Sequence, residues 1–434
     1  MLCFANTDSR ESKSDLKKEL NPFIFTNTTM NANKKLQGRF KANQRGFLCH
    51  NIWTKKNLPT IFLGCILIYA LLTLCYSIHM LQIESHNNTA DGMHTTAAKK
   101  MESKLEKMES TTDNDPDALD CKDYLRSFRQ GLISNVEQVP GYEKSYVTRT
   151  LTPVPFYWAT HSPLLDKIRA SSFIQGFYYE SELTARVIEA FKGDGDNSND
   201  SQEIFLDVGG NIGWFSLVAA AHGASKVYTF EPNPTNLLRI CESIILNGFE
   251  DIIQVIPKGV SNVDETRMLY QGSESNPGSF TFNRLVSMRL NNRTAVELGE
   301  MLLVQLDSFA EKRGWFAKSS NNSPAVKIAF FKLDVEGFEP MIMKGTTKLF
   351  NSGIVRQFAM EMKNGKMHSN RQKKDMVKTV FEAGYDLYQT GSYRGPNSVV
   401  KKKYDTWESL AEDIITKKDS ENLLFRRRED DVKK

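Results

Sequence analysis

One stretch constrains this chain more than any other: Ile204-Phe-Leu-Asp207-Val-Gly209-Gly210-Asn211-Ile-Gly213-Trp214-Phe215. Ile204, Phe205, Leu206 and Val208 form a near-continuous hydrophobic run, the pattern of a strand buried on both faces. Glycines follow at once, and an apolar helical pattern runs from Trp214 to about His222. Glycine permits positive φ and a close backbone approach to a ligand. In an open parallel sheet, ligands bind at the carboxyl ends of the strands, where this turn falls. The spacing is neither the G-x-G-x-x-G of a dinucleotide site nor a P-loop, which needs a Lys-Ser/Thr pair. The next strand, Lys226–Phe230, ends in Glu231, and an acid there can accept both hydroxyls of a ribose.

The pattern repeats downstream. Pro234–Asn247 reads as a helix with proline at its start and Gly248 at its end. Strand Ile252–Ile256 then leads to Gly259. Residues 264–303 hold three short strand candidates, Arg267–Tyr270, Ser279–Phe282 and Met301–Gln305, and match no motif. Asp307 opens a helix to Arg313. The strand Lys327–Asp334 is again apolar and delivers Asp334 and Glu336 to the edge that holds the glycine turn. Asp334 is equally suited to cap the next helix, which reaches Phe350. Ile354–Met362 carries a further acid, Glu361, near its end. Helix Lys373–Ala383 and strands Tyr385–Gln389 and Asn422–Phe425 complete the alternation. The expectation is one α/β domain over 151–434 with a doubly wound, Rossmann-like sheet. His368 lies in a polar loop and reads as solvated.

Four motifs in order, D-V-G-G-N-I-G-W-F-S-L, F-E-P-N-P, K-L-D-V-E-G-F-E with K-G five residues on, and a terminal N-L-L-F, resemble the FkbM-type family of class I methyltransferases over about Ile174 to Arg426. The resemblance implies an S-adenosylmethionine-dependent O-methyltransferase, with sugars and secondary metabolites among the acceptors. It implies that Asp207, Gly209, Gly210, Asn211 and Gly213 cradle the methionine part of S-adenosyl-L-methionine and that Glu231 takes the ribose. Asn233, beside that acid, and Gly259, in the turn beside the adenine, complete the implied cofactor site. Asp334 and Glu336 match the acidic motif near the acceptor. Gly210 stands where the family usually has alanine, which reads as a mild change. A hydroxyl must lose its proton as it attacks, and a carboxylate in reach can take it. Asp334 is the first candidate base, with Glu336 or Glu361 orienting the acceptor. Two acids without a third ligand do not define a metal site, and none is expected. Two other readings stay open: a dinucleotide-dependent oxidoreductase, and a catalytically inactive membrane-tethered binding protein on the same fold.

The first third is different. Residues 1–56 are polar and read as a disordered cytosolic tail. Lys34–Lys56 holds seven Lys and Arg residues and no acid, and Asn57–Ile83 then runs 27 residues without any charge. That length of apolar chain spans a bilayer, and 57–83 reads as an uncleaved signal anchor. The far flank, Glu84–Asp120, has nine acids against four bases. Positive-inside logic therefore puts everything after Ile83 in the lumen of the secretory pathway, a type II layout like that of Golgi enzymes. Residues 84–150 read as a stem. Sequons at Asn87, Asn199, Asn292 and Asn321 fit that side of the membrane. Among six cysteines only Cys121 and Cys241 would be lumenal; they either pair or leave Cys241 as helix core. A formal charge of +4 on 434 residues argues against a nucleic-acid surface. The expected partners are the membrane and a small-molecule or glycan hydroxyl acceptor.

Overall fold

A computed structural model describes residues 115–130, 145–162, 179–192, 202–273, 276–291, 293–318, 324–362, 367–389, 400–401, 403–416 and 421–428. The tail, the apolar segment 57–83, most of the stem, the asparagines of the four sequons and the polar loop at 193–201 lie outside them. Among the described residues, no helix is long and apolar enough to cross a membrane.

The chain order begins with helix α1 (Cys121–Arg129), the hairpin β1 (Tyr146–Arg149) and β2 (Tyr157–Thr160), and helix α2 (Ser181–Ala190). The glycine-turn unit follows as β3 (Gln202–Val208), α3 (Trp214–Ala221), β4 (Lys226–Phe230), α4 (Pro234–Asn247) and β5 (Ile253–Ile256). The region without motifs becomes β6 (Gly259–Ser261), β7 (Glu265–Ser273), β8 (Asn276–Thr281), α5 (Arg284–Leu290) and β9 (Glu297–Gln305). Next come α6 (Leu306–Lys312), β10 (Val326–Leu333), α7 (Glu339–Lys344), α8 (Thr347–Asn351) and β11 (Gln357–Met362). The last elements are α9 (Asn370–Glu382), β12 (Tyr385–Gln389), β13 (Val400–Lys401), α10 (Trp407–Thr416) and β14 (Glu421–Arg427). The single helix expected up to Phe350 is two, α7 and α8, parted by Gly345 and Thr346. A Cβ at Gly345 would stand 2.7 Å from the Ser261 carbonyl oxygen.

The main sheet has eight strands in the order β13-β12-β14-β11-β10-β3-β4-β5. β5, β4, β3, β10 and β11 are parallel, and β14 runs antiparallel between β11 and β12. This is a doubly wound order with a reversed strand inserted near one edge, and its direction reverses between β3 and β10. Both faces are buried, as the apolar runs require. Ile204, Leu206 and Val208 enter one core cluster with Phe331 and Leu333, while Phe205 enters the other with Phe330 and α3. Period-two alternation sorts them. Residues 259–305 build a separate four-stranded sheet, β6-β9-β7-β8, with longer strands than the sequence signals.

The end of the expected stem packs on this domain. Asp120 caps α1, whose Cys121 and Leu125 are buried. Cys121 forms a disulfide with Cys241 of α4. Arg313 donates to both Asp115 and Asp117, and Lys258 donates to Asp117 at 2.6 Å. The backbone N–H of Leu119 donates to the Val255 carbonyl at 2.7 Å. The folded part therefore starts no later than Asp115, ahead of the boundary near 151 that composition implies.

Candidate active site

The site lies where β3, β4, β10 and β11 end. Strand alternation and register explain its floor. Lys332 of β10 sits opposite Asp207 of β3, which sits opposite Thr229 of β4. All three project from the face that carries α3. Ser216 of α3 closes the row, donating to Asp207 Oδ2 at 2.6 Å and sharing a 2.6 Å hydrogen bond with Thr229. Asp207 is fully buried. Burial pushes its carboxyl above the ordinary range, against the opposing pull of Lys332 and Ser216.

The turn above this row needs its glycines. Gly209 has φ +85°, and a Cβ there would stand 1.9 Å from the carbonyl oxygen of Asp334. A Cβ on Gly210 would stand 2.3 Å from Thr229 Cγ2. Thr229 is fully buried and held by Ser216, so its methyl occupies the room an alanine would use. The glycine is matched to that threonine, and the reading of a mild change does not hold. Asn211 also has positive φ, +52°.

Glu231 follows β4 and is buried at the cleft wall. Its Oε2 accepts from the Asn211 N–H at 2.8 Å and its Oε1 from the Asn233 N–H at 2.9 Å. Burial pushes its carboxyl up to about 7, against these hydrogen bonds and one from the Asn236 side chain. A carboxylate has about four acceptor positions, so capacity for a further donor remains.

Acids gather on the other side. The β10 strand ends at Leu333 and the loop carries Asp334, Glu336 with φ +52° and Gly337 with φ +89°. Asp334, Glu336 and Glu361 all line the cleft, as does Glu180 just before α2. Lys332, only 4% exposed, is the cation among them. Its ammonium stands 3.4 Å from Asp334, 3.9 Å from Asp207 and 3.4 Å from the Gly209 carbonyl, over the ring of Phe215. Burial disfavours its charge, but Asp334, Asp207, Glu180 and Glu361 together outweigh that and raise its pKa. Glu180 is pushed up by burial and then by Asp334. An aromatic wall of the cleft comprises Trp158, Tyr179, Trp214 and Phe215.

The cleft thus brings together Gly209, Gly210, Asn211, Glu231, Gly259, Asp334, Glu336 and Glu361 from the expected residues. Asp207, Gly213 and Asn233 do not line it. Asp207 is covered by α3, for the parity reason given above. Gly213 precedes α3 with φ +84° and faces Ile240. Asn233 caps α4, its Oδ1 accepting from the N–H groups of Thr235 and Asn236. Their contribution is to the shape of the turn.

Sequence reasoning gave no role to Lys332, Glu180 or Glu339. A lysine inside Ile328-Ala-Phe-Phe-Lys-Leu is itself a signal, because a buried lysine requires acidic partners. Glu339, fully buried in α7, comes within 4.8 Å of Asp334 and Glu361. Its Oε1 accepts from the Val335 N–H at 3.0 Å and its Oε2 lies 2.7 Å from His368 Nε2. His368 is buried, 3% exposed, so the reading of a solvated histidine is corrected: its partner Glu339 lies 29 positions away in sequence.

Residues 207–387 match the family model described as the methyltransferase FkbM domain. This part of the chain is therefore a methyltransferase-family domain. Among solved structures, the chain is similar to a SAM-dependent methyltransferase from Agrobacterium tumefaciens, at 12% identity and a TM-score of 0.32, covering 67% of this chain and 72% of that one. It is also similar to precorrin-6y C5,15-methyltransferase from Geobacter metallireducens, at 9% identity and a TM-score of 0.25, covering 57% of this chain and 89% of that one. Scores this low carry no argument about either activity. No curated protein matches the chain.

Proposed function

We propose that this protein is an S-adenosylmethionine-dependent O-methyltransferase acting on a sugar hydroxyl. One observation carries the reading: the glycine turn and the acidic loop meet backbone to backbone at Gly209 and Asp334, so a cofactor cradle and a set of carboxylates share one cleft.

The residues fit the cofactor. Gly209 and Gly210 line the cleft with bare backbone, and their missing side chains let the turn pack against Asp334 and Thr229. Glu231 presents a carboxylate with spare acceptor capacity, suited to a ribose diol. Gly259 and the aromatic wall supply apolar surface nearby. When bound, adenosylmethionine supplies an electrophilic methyl group together with its own leaving group. The chain's own residues do the rest. Asp334 takes the proton from the acceptor hydroxyl, and Glu336 and Glu361 orient it by hydrogen bonds. Lys332 holds the cluster of carboxylates together and keeps positive charge beside Asp334. Glu339 brings a third carboxylate within 4.8 Å of Asp334 and Glu361, where the sequence pattern offers two acids, and it is engaged by His368 and the Val335 N–H.

The same reading places the enzyme on a type II membrane anchor with its catalytic domain in the secretory lumen. The uncharged segment 57–83 and its basic flank support it. So does the Cys121–Cys241 disulfide, since such bonds persist in oxidising compartments. Adenosylmethionine would then have to be carried into the lumen. Incubating the full-length protein with methyl-labelled adenosylmethionine and fractionated glycans, lipids and proteins tests the proposal. Label in a glycan fraction, as an alkali-stable ether, supports it. Label confined to protein or lipid, or no transfer at all, counts against it.

A further inference from the structure

Beside the cleft runs a second groove of about 470 Å³, between the four-stranded sheet and α7. The two share a wall: Phe282 and Phe338 line both, and their rings pack 5.6 Å apart. Glu336 faces the cleft while its neighbour Gly337 faces the groove. An acceptor with its hydroxyl among the carboxylates has this groove as an adjoining place for the rest of its body.

The charges of the two spaces are opposite. Among the described residues, the cleft is lined by five carboxylates, those of Glu180, Glu231, Asp334, Glu336 and Glu361, and by the single cation Lys332. The groove is lined by Arg267 and Arg284 and by no acid. Arg267 donates through Nε to Glu265 at 2.8 Å, a bond that does not use its terminal amines, and its guanidinium lies 5.2 Å from the Phe338 ring centroid. Arg284 is exposed, with Met288 Sδ at 3.6 Å from one amine. Tyr270 and Phe282, both half-buried, supply flat apolar surface of the kind sugar rings lie against. Guanidinium groups match the planar, bidentate geometry of carboxylates and sulfates. An anionic group is repelled by the cleft and accepted by the groove, so the pair of spaces fixes which end of an acidic acceptor enters first.

We propose that this groove binds the anionic part of an acidic saccharide, a sugar bearing a carboxylate or a sulfate ester, whose hydroxyl reaches Asp334. The inference rests on the methyl-transfer reading for the role of the cleft and adds the acceptor class.

The test uses full-length protein in detergent and matched glycosides. 4-Nitrophenyl β-glucuronide is compared by calorimetry with 4-nitrophenyl β-glucoside, and the 6-sulfated N-acetylglucosaminide with its unsulfated parent. Wild type, Arg267→Gln, Arg284→Gln and the double variant are titrated, and adenosylhomocysteine is titrated into the same samples. The expected result is that at least one acidic glycoside binds about tenfold tighter than its neutral partner, the worth of one charged hydrogen-bonded contact. That preference falls with salt and is lost in the double variant, while neutral glycosides bind as before. Preference for the glucuronide alone or the sulfate alone identifies the anion. Equal or absent binding of acidic and neutral forms, or a preference that survives in the double variant, overturns the inference. Adenosylhomocysteine binding without that preference strikes only the groove. The preference without adenosylhomocysteine binding strikes the methyl-transfer reading and leaves an acidic-sugar site.

Discussion

A Cβ on Gly209 would lie 1.9 Å from the carbonyl oxygen of Asp334, so the turn after the first core strand and the loop after the fourth touch through bare backbone. The N–H of Asp334 donates to the Val208 carbonyl at 3.1 Å, which fixes the approach from the other side. No side chain can be inserted without parting the two loops. Gly209→Ala is expected to destabilise the protein by more than the roughly 1–2 kcal/mol that a left-handed conformation alone costs a non-glycine residue. Gly384→Ala is the control, because Gly384 has φ +92° and nothing within 4 Å of its Cβ position. Denaturant unfolding of both variants reads the difference. Equal losses would show that the close approach contributes nothing.

Gly210 and Thr229 form a second matched pair, the glycine making room for a buried methyl. Gly210→Ala should cost about 1–3 kcal/mol as overpacking. Thr229→Ser keeps the hydroxyl bonded to Ser216 and removes Cγ2, so the double variant should recover most of that loss. A double-mutant cycle measures the coupling, expected at about 1 kcal/mol or more. Simple additivity would contradict the account.

Glu231 makes stability and binding depend on pH. Its folded pKa, about 7, lies above the ordinary 4.5 because of burial. A raised carboxyl pKa means that the folded state holds the proton more tightly than the unfolded state. Relative to Glu231→Gln, the wild type should therefore lose stability as pH rises from about 4.5 to about 7, by about 3 kcal/mol at most. A ribose diol donates to the ionised carboxylate and favours it. Binding of adenosylhomocysteine near pH 6.5 should thus release a fraction of a proton, seen as a buffer-dependent heat, and the release should vanish in Glu231→Gln. Proton uptake on binding would contradict the assignment of Glu231.

Lys332 is buried beside Asp334 and Asp207, with Glu180 and Glu361 adding to its field. Lys332→Met leaves these acids without their cation and should cost about 3–5 kcal/mol at neutral pH. A lysine with a raised folded pKa contributes stability that is fully present below its ordinary value, 10.5, and lost only as pH rises past it. The deficit should shrink on acidification, as the carboxylates of the variant take up protons. A pH series of unfolding midpoints checks this, and a deficit that stays constant below pH 5 would sink the claim.

The sheet was legible in the sequence because strands buried on both faces leave uninterrupted apolar runs, and the runs ending at Asp207, Glu231 and Asp334 reappear as β3, β4 and β10. Pro234–Asn247 is a helix with the bounds its proline and glycine imply. Local pattern did not carry long-range partnership. His368 reads as loop because its buried partner, Glu339, is remote in sequence. Asp207 belongs to the right turn, but only the position of α3 decides that it is covered. The four-stranded sheet from 259 to 305 reads in sequence as fragments, since its long, half-exposed strand β9 lacks a continuous apolar run. The groove beside the cleft draws on that sheet, which is why no motif announces it.

The central claim is that one cleft holds an adenosylmethionine-type cofactor over the glycine turn, against Glu231. Calorimetric titration of adenosylhomocysteine into the full-length protein tests it most directly, with Glu231→Gln as the weakened form and NAD as the competing ligand. The account predicts saturable binding near one per chain, weakened in a Glu231→Gln variant that remains folded by circular dichroism, and no heat with NAD. Folded wild-type protein that binds NAD, or binds neither ligand, would contradict it.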